Sequence, residues 1–174
     1  MSSRLPEYID PWHFGEVGKE LSGFVELSKL PRLSGVLVDR EGKAEFVFRF
    51  RKGEKQRIHI TGYVCASLSL ECQRCLEPVC IQIATEIDAV VVEGVEEAKR
   101  LPDEYEPLMA DERLIRLYDV VEDELLLALP FVAMHPEGEC KAASQNIGWS
   151  PEAVNEGQGQ TKPNPFAALA DLKK

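Results

Sequence analysis

The sequence of 174 residues has no apolar run that approaches the roughly 20 residues a membrane-spanning helix needs. The stretch Met1-Ser-Ser-Arg-Leu-Pro6 lacks the charged and apolar regions of a signal peptide. The sequence also contains no phosphate-binding glycine-rich loop, no HExxH motif and no GxSxG motif. From these absences we expect a cytoplasmic protein that makes no contact with a membrane and is not an enzyme.

Positive charge is scarce, since 20 Lys and Arg stand against 30 Asp and Glu, for a formal net charge of -10. The acidic residues are concentrated between positions 86 and 124, which contain fourteen Asp and Glu and only four Lys and Arg. Such a stretch repels RNA and attracts a basic protein. A solvated face that keeps the protein soluble is the more frequent meaning of a charge run, and both interpretations stay open. Positions 40–57 have the opposite balance, with seven basic and three acidic residues.

Alternating apolar and polar side chains predict a mostly antiparallel β-sheet. The alternation is clear in residues 46–51 and in two longer runs, 58–72 and 79–91. Each run has one apolar and one largely polar face, as in a sheet with one face in water. The segment between the two longer runs predicts a long hairpin that carries Cys72 and Cys75 at its tip.

Helical signals complete an α+β fold. Asp10 and Pro11 mark the start of a short N-terminal helix that we extend to about Glu20. Apolar residues at helical spacing predict a second helix near residues 118–129, packed on the sheet. The charged segment 93–110 contains two prolines and is predicted to be an acidic loop.

Composition divides the chain into three parts. Residues 1–140 carry the apolar patterns and are predicted to form a single α+β domain. Residues 141–162 are rich in Gln, Asn, Gly and Ser, which predicts a flexible linker. In residues 163–174, Phe166 and Leu169 share one face of a short apolar motif, as in a docking segment. The sequence leaves open whether this segment enters a partner's groove or folds back on its own domain.

The five cysteines are odd in number and occur without an export signal, so metal binding or plain burial is favoured over disulfides. Cys72-x-x-Cys75 can chelate a metal from a tight turn, and His135 and Cys140 offer a second pair beyond a gap of 59 residues. Together they predict a Cys₃His site for a structural Zn²⁺. The alternative is four unconnected residues with reduced thiols. A thiol redox pair is disfavoured, because no helix follows Cys72 to lower its pKa.

Two groups of charged side chains are candidate binding residues. Aromatic residues between cations can stack on bases, but the alternation turns Phe48 and Phe50 toward the core and leaves only the cations. The alternative for this strand is a solvated edge protected by charge. The candidate nucleic-acid contacts are Arg49, Arg51, Lys52 and Arg74. The candidate partner-binding residues are Glu96, Glu97, Asp103, Glu104, Glu106, Glu122, Asp123 and Glu124, with Phe166 and Leu169 near the C-terminus.

Several short motifs occur in an order that resembles one protein family. Leu70-Glu-Cys-Gln-Arg-Cys75 and Leu101-Pro-Asp-Glu-Tyr-Glu-Pro107 precede Val121-Glu-Asp-Glu-Leu-Leu-Leu-Ala-Leu-Pro130. His135-x4-Cys140 and Lys162-Pro-Asn-Pro-Phe-Ala-Ala-Leu169 follow. This ordered set resembles the YceD family, the large ribosomal RNA subunit accumulation proteins of bacteria and plastids, over essentially the whole chain.

The resemblance implies a role in the synthesis, processing or accumulation of 23S rRNA, and hence in biogenesis of the large ribosomal subunit. It implies no catalytic residues. Genes of the family tend to lie beside one for a small basic ribosomal protein. Together with the acidic stretch, this favours an assembly factor whose partner is the large-subunit precursor or a basic ribosomal protein. The alternatives are a module that contacts large-subunit rRNA directly and, less favoured, a thiol redox protein that uses Cys72 and Cys75.

Overall fold

The computed structural model describes residues 5–110 and 112–141, which form an α+β fold, as predicted. The strands are β1 (Tyr8–Ile9), β2 (Glu20–Glu26), β3 (Lys43–Lys52), β4 (Ile58–Glu71), β5 (Pro78–Val92), β6 (Glu106–Met109) and β7 (Ile115–Arg116). The helices are α1 (Pro11–Val17), α2 (Pro31–Ser34), α3 (Val95–Ala98) and α4 (Leu117–Leu127). Single 3₁₀ turns lie at Leu27–Lys29 and Glu54–Gln56.

Five strands form one sheet in the order β2-β3-β4-β5-β6, and β1 pairs with β7 in a separate two-stranded ladder. Neighbours from β2 to β5 are antiparallel, whereas β6 runs parallel to β5. The prediction that residues 93–110 form a loop is therefore wrong, because they contain α3 and β6. Pro107 and the local charge favoured a loop, but an edge strand tolerates both.

The long hairpin predicted from the alternating runs consists of β4 and β5, with Leu70 paired to Val79 next to its tip. The turn between these strands contains Cys72 and Cys75, as expected. At the opposite end of β4, residues 53–57 form the turn that connects β3 to β4. The 14 residues of β4 rise by roughly 3.3 Å each, so the two ends of the sheet lie about 40 Å apart.

The core lies between one face of the sheet and α4. Phe46, Phe48 and Phe50 of β3 are each only 1% exposed, so these aromatic rings face the core and are unavailable to stack on a ligand. The predicted apolar stripe of α4 is also buried, through Leu117, Val120, Val121 and Leu125. In β4, Gly62 interrupts the apolar face because a Cβ there would collide with the carbonyl oxygen of Val47.

Helix α1 begins where the sequence predicts and ends earlier. The Asp10 side chain accepts a hydrogen bond from the backbone N–H of His13 (3.1 Å), and Pro11 occupies the first turn. The helix ends after Val17, since Gly18 adopts a left-handed conformation with φ of 63°. The residues up to Glu20 that we had assigned to this helix instead lead into β2.

None of the helices within residues 5–110 and 112–141 is both long and apolar enough to cross a membrane. The predicted linker 141–162, apart from Lys141, and the predicted docking segment 163–174 lie outside the described residues.

Candidate functional site

The structure brings the two predicted metal-binding pairs together at the tip of the β4–β5 hairpin. The ligand atoms of Cys72, Cys75, His135 and Cys140 all lie within 4.8 Å of one another. The Cys72 and Cys140 sulfurs are 4.0 Å apart, and the Cys75 sulfur is 3.4 Å from Nδ1 of His135. A tetrahedral zinc site with metal–sulfur bonds of about 2.3 Å separates neighbouring sulfurs by about 3.8 Å. The four side chains therefore form a cluster, called here the Cys₃His cluster, whose spacing fits a metal ion.

Hydrogen bonds around His135 direct the correct ring nitrogen toward the thiols. Nε2 lies 3.0 Å from the carbonyl oxygen of Pro78, which can only accept, so Nε2 carries the proton of a neutral imidazole. Nδ1 is then unprotonated and faces the Cys75 sulfur. A protein carbonyl that fixes the imidazole tautomer in this way is the usual support of a metal-binding histidine.

The backbone also favours a thiolate at this site. Burial alone raises the pKa of the Cys72 thiol. Hydrogen bonds from the backbone N–H groups of Cys75, His135 and Arg74 outweigh burial and lower this pKa. Metals bind cysteine as the thiolate, so these hydrogen bonds prepare the ligand.

Contacts outside the thiols attach the segment after α4 to the hairpin tip. The N–H of Gln73 donates to the carbonyl of Ala133 (2.9 Å), and the Arg74 guanidinium donates to the carbonyl of His135 (2.6 Å). Leu76 closes the turn in a left-handed conformation with φ of 60°. Arg74, a candidate RNA contact, thus holds the loop that supplies two of the four cluster residues.

The four candidate RNA contacts do not form one surface. Arg49, Arg51 and Lys52 lie in the second half of β3. This strand finishes at the end of the sheet that is about 40 Å from the hairpin tip, which carries Arg74. Arg49 is paired with Glu20 at 2.6 Å, and Lys52 lies 3.7 Å from Glu16.

The structure corrects the expectation for Glu122, which we had placed among the partner-binding residues. This side chain is 1% exposed. Its carboxylate accepts hydrogen bonds from the backbone N–H groups of Arg32 (2.7 Å) and Leu33 (3.0 Å) and from Nε of Arg32 (3.0 Å). Glu122 therefore joins α4 to α2 and is not available to a partner. This role is not visible in the sequence, because Arg32 lies 90 residues away along the chain.

The other acidic candidates fall into two groups. Glu96 and Glu97 lie on α3, and Asp103 and Glu104 lie in the connection to β6. Glu96 pairs with Lys99 (2.8 Å), and Glu97 accepts a hydrogen bond from the N–H of Glu93 (2.8 Å). The second group, Glu106, Asp123 and Glu124, lies near the junction of β6 and α4.

A groove of about 440 Å³ adjoins this second group, between β6 and the start of α4. Its lining adds residues that were absent from the sequence-based candidates: the acidic Glu112 and Asp119, and the exposed apolar Tyr8, Met109 and Leu114. We call Glu106, Glu112, Asp119, Asp123 and Glu124 the acidic face. Asp119 belongs to the acidic stretch already visible in the sequence, whereas exposure of the apolar residues depends on the fold.

Comparison with known proteins decides the family. The family model for the large ribosomal RNA subunit accumulation protein YceD matches residues 60–173. The curated large ribosomal RNA subunit accumulation protein YceD of Haemophilus influenzae is 34% identical in an alignment that covers 98% of this chain and 97% of the relative. The chain belongs to the YceD family. No solved structure gives a significant match.

The segment matched by the YceD family model begins within β4. It therefore includes the hairpin, the Cys₃His cluster, the acidic face and α4, and it extends into the C-terminal residues beyond the described part. The family description names an accumulation protein and no enzymatic activity. The resemblance inferred from the ordered motifs is confirmed.

Proposed function

We propose that this protein is a non-enzymatic, cytoplasmic factor in biogenesis of the large ribosomal subunit. It promotes accumulation of 23S rRNA, and it does so by holding a basic large-subunit ribosomal protein on the acidic face. The description of the matched family and the name of the Haemophilus influenzae relative support the first statement. The chemistry of the acidic face supports the second.

The observation that carries this proposal is the half-buried carboxyl group of Glu124, which lies near two other carboxylates, Glu106 and Asp123. Burial, followed by the nearby charges of Glu106 and Asp123, raises the pKa of this carboxyl group. Within residues 5–110 and 112–141, no Lys or Arg lies within ion-pair distance of Glu124. A cation supplied by a partner would offset the repulsion of Glu124 by Glu106 and Asp123. The charged form of Glu124 would therefore be more stable in a complex than in the free chain.

The groove lined by Asp119 and Asp123 offers apolar contacts as well as charge. Tyr8 is 56% exposed and Met109 is 59% exposed, although both belong to strands of the structure. Aromatic and methionine side chains are enriched in protein interfaces, with charged residues around them. RNA would be repelled by the same carboxylates, so a basic protein is the partner that fits this surface.

The Cys₃His cluster is proposed to hold a structural Zn²⁺. Three cysteines and one histidine complete a tetrahedron, which leaves no open position for a substrate. The ion would stabilise the attachment of the segment 133–140 to the hairpin tip. In this role the metal adds to folding and supplies no chemistry.

Neutralising part of the acidic face should weaken binding of the basic partner. We choose Glu106→Gln, Glu112→Gln and Glu124→Gln together, because none of these side chains forms an ion pair within the described residues. At about 0.5 kcal/mol for each exposed charge, affinity should fall about ten-fold. Fluorescence anisotropy of labelled basic large-subunit proteins, titrated with the full chain at several salt concentrations, measures this change.

The matched control is Glu45→Gln, Glu86→Gln and Asp88→Asn, which removes the same charge from the solvent-exposed face of the sheet. This control should bind within about two-fold of the unmodified chain, and added salt should weaken binding of the unmodified chain. The proposal of a protein partner is contradicted if no basic large-subunit protein binds even at low salt, or if both triple variants lose affinity equally.

A further inference from the structure

A cationic pocket lies at the end of the sheet opposite to the Cys₃His cluster. It has a volume of about 480 Å³, within the range of small-molecule sites, and is formed by the β3–β4 turn and the residues just before β6. Arg51, Lys52, Lys55 and Arg57 contribute four positive charges, against the carboxylates of Glu54 and Glu104. This local excess is opposite in sign to the net charge of -10 for the whole chain.

The cations of this pocket are largely unneutralised. Lys52 lies 3.7 Å from Glu16, a contact between two exposed side chains. In the part of the chain that the structure describes, Arg51, Lys55 and Arg57 have no carboxylate within ion-pair distance. Uncompensated cations in a concave site attract an anionic ligand, because the surrounding protein focuses their field.

The turn that supplies these cations has an unusual backbone. Lys55 and Gln56 adopt left-handed conformations, with φ of 53° and 63°, although neither is glycine. Such conformations cost free energy and occur preferentially at binding sites. The turn is held by a hydrogen bond from the N–H of Gly53 to the carbonyl of Arg57 (2.8 Å). A Cβ at Gly53 would collide with the imidazole of His59, so glycine allows this ring to pack against the turn.

One wall of the pocket is a stack of flat groups. The ring of Tyr105 meets His59 edge-on, with their centroids 5.6 Å apart. The Arg57 guanidinium lies over the Tyr105 ring, 5.8 Å from its centroid. Nucleobases stack on aromatic side chains and on arginine guanidinium planes, so this wall suits a base.

We propose that this pocket binds a nucleotide. Arg51 and Lys55 contact its phosphates, and the base stacks on the pair formed by Arg57 and Tyr105. The ligand is either a free nucleoside polyphosphate or an unpaired nucleotide within an RNA strand, since both present the same phosphate and base. The pocket volume accommodates a single nucleotide rather than an extended strand. This proposal does not depend on the acidic face or on the Cys₃His cluster.

Titrations of the full chain test this site with two probes: fluorescent guanosine triphosphate and a labelled ten-nucleotide single-stranded RNA. Lys55→Gln with Arg57→Gln should weaken binding of whichever probe binds the unmodified chain. The affinity should fall by about ten-fold or more, because charge-assisted hydrogen bonds are lost. Tyr105→Ala should weaken it by about ten-fold, and Tyr105→Phe should retain the affinity, because stacking requires only the ring. Lys29→Gln with Arg40→Gln, at exposed positions near the other end of the sheet, is the charge-matched control and should leave the affinity within about two-fold.

If the nucleoside triphosphate binds and the variants change its affinity as expected, the natural ligand is a free nucleotide. If only the RNA probe binds, and the variants change its affinity as expected, the natural ligand is a nucleotide within an RNA strand. The proposal is overturned if neither probe binds. It is also overturned if inorganic triphosphate competes as well as the nucleotide while Tyr105→Ala has no effect, which would indicate a cationic patch without base recognition. Thermal unfolding of each variant, unchanged from the parent chain, ensures that lost binding reflects the pocket.

Discussion

Replacing Cys72 by serine is expected to abolish metal binding and to lower the melting temperature by about 10 °C or more. Cys72 is fully buried and its sulfur lies 4.0 Å from that of Cys140. Its loss leaves three ligands for an ion that requires four. A metal present at 1,000 times its dissociation constant stabilises a protein by about 4 kcal/mol, all of which is lost with the site. Elemental analysis should find one zinc per unmodified chain and none in the variant.

Two controls distinguish the loss of the bound metal from the cost of burying the serine hydroxyl group in Cys72→Ser. Cys80→Ser removes an exposed cysteine outside the cluster and should retain both the zinc and the melting temperature. A strong chelator should lower the melting temperature of the unmodified chain and leave that of Cys72→Ser unchanged, because this variant has no metal to lose. A metal-free unmodified chain that is insensitive to chelator and added zinc would contradict the structural metal site.

Substitution of Glu122 by glutamine should destabilise the protein by about 3 kcal/mol. The buried carboxylate accepts the N–H groups of Arg32 and Leu33 and pairs with the Arg32 guanidinium. An amide has one acceptor oxygen in place of two, so at least one donor loses its partner and a cation loses its counter-charge. Urea unfolding, followed by circular dichroism, measures the change in the free energy of unfolding.

The control for Glu122 is its neighbour Asp123, which pairs with the same guanidinium at 2.6 Å but is half-exposed. Because exposed ion pairs contribute little, Asp123→Asn should cost about 0.5 kcal/mol. Equal effects of the two substitutions would show that Glu122 does not join α4 to α2 as described.

Most of the sheet could be predicted from the sequence, because each strand's pattern is local. The alternation in residues 46–51, 58–72 and 79–91 correctly identified β3, β4 and β5, and the hairpin followed from the short turn between the last two. Strand β6 was missed since its identity depends on pairing with β5 after a crossover, whereas Pro107 and its charged neighbours favour a loop.

The Cys₃His cluster was predicted from ligand chemistry, although the sequence gives no distance between its two pairs. Their approach depends on α4, which returns the chain from the far end of the sheet to the hairpin tip. Glu122 and Tyr105 could not be assigned from sequence. Glu122 resembles its solvated neighbours until α2 covers it, and Tyr105 acquires a role only beside Arg57 and His59.

The most direct test of the proposed function is the ratio of large-subunit to small-subunit rRNA in cells depleted of this protein. We expect depletion to lower this ratio selectively. The unmodified chain and the variant with Glu45→Gln, Glu86→Gln and Asp88→Asn should restore the ratio. The variant with Glu106→Gln, Glu112→Gln and Glu124→Gln should not. An unchanged ratio after depletion would contradict the role in large-subunit biogenesis, and full restoration by the acidic-face variant would contradict the mechanism.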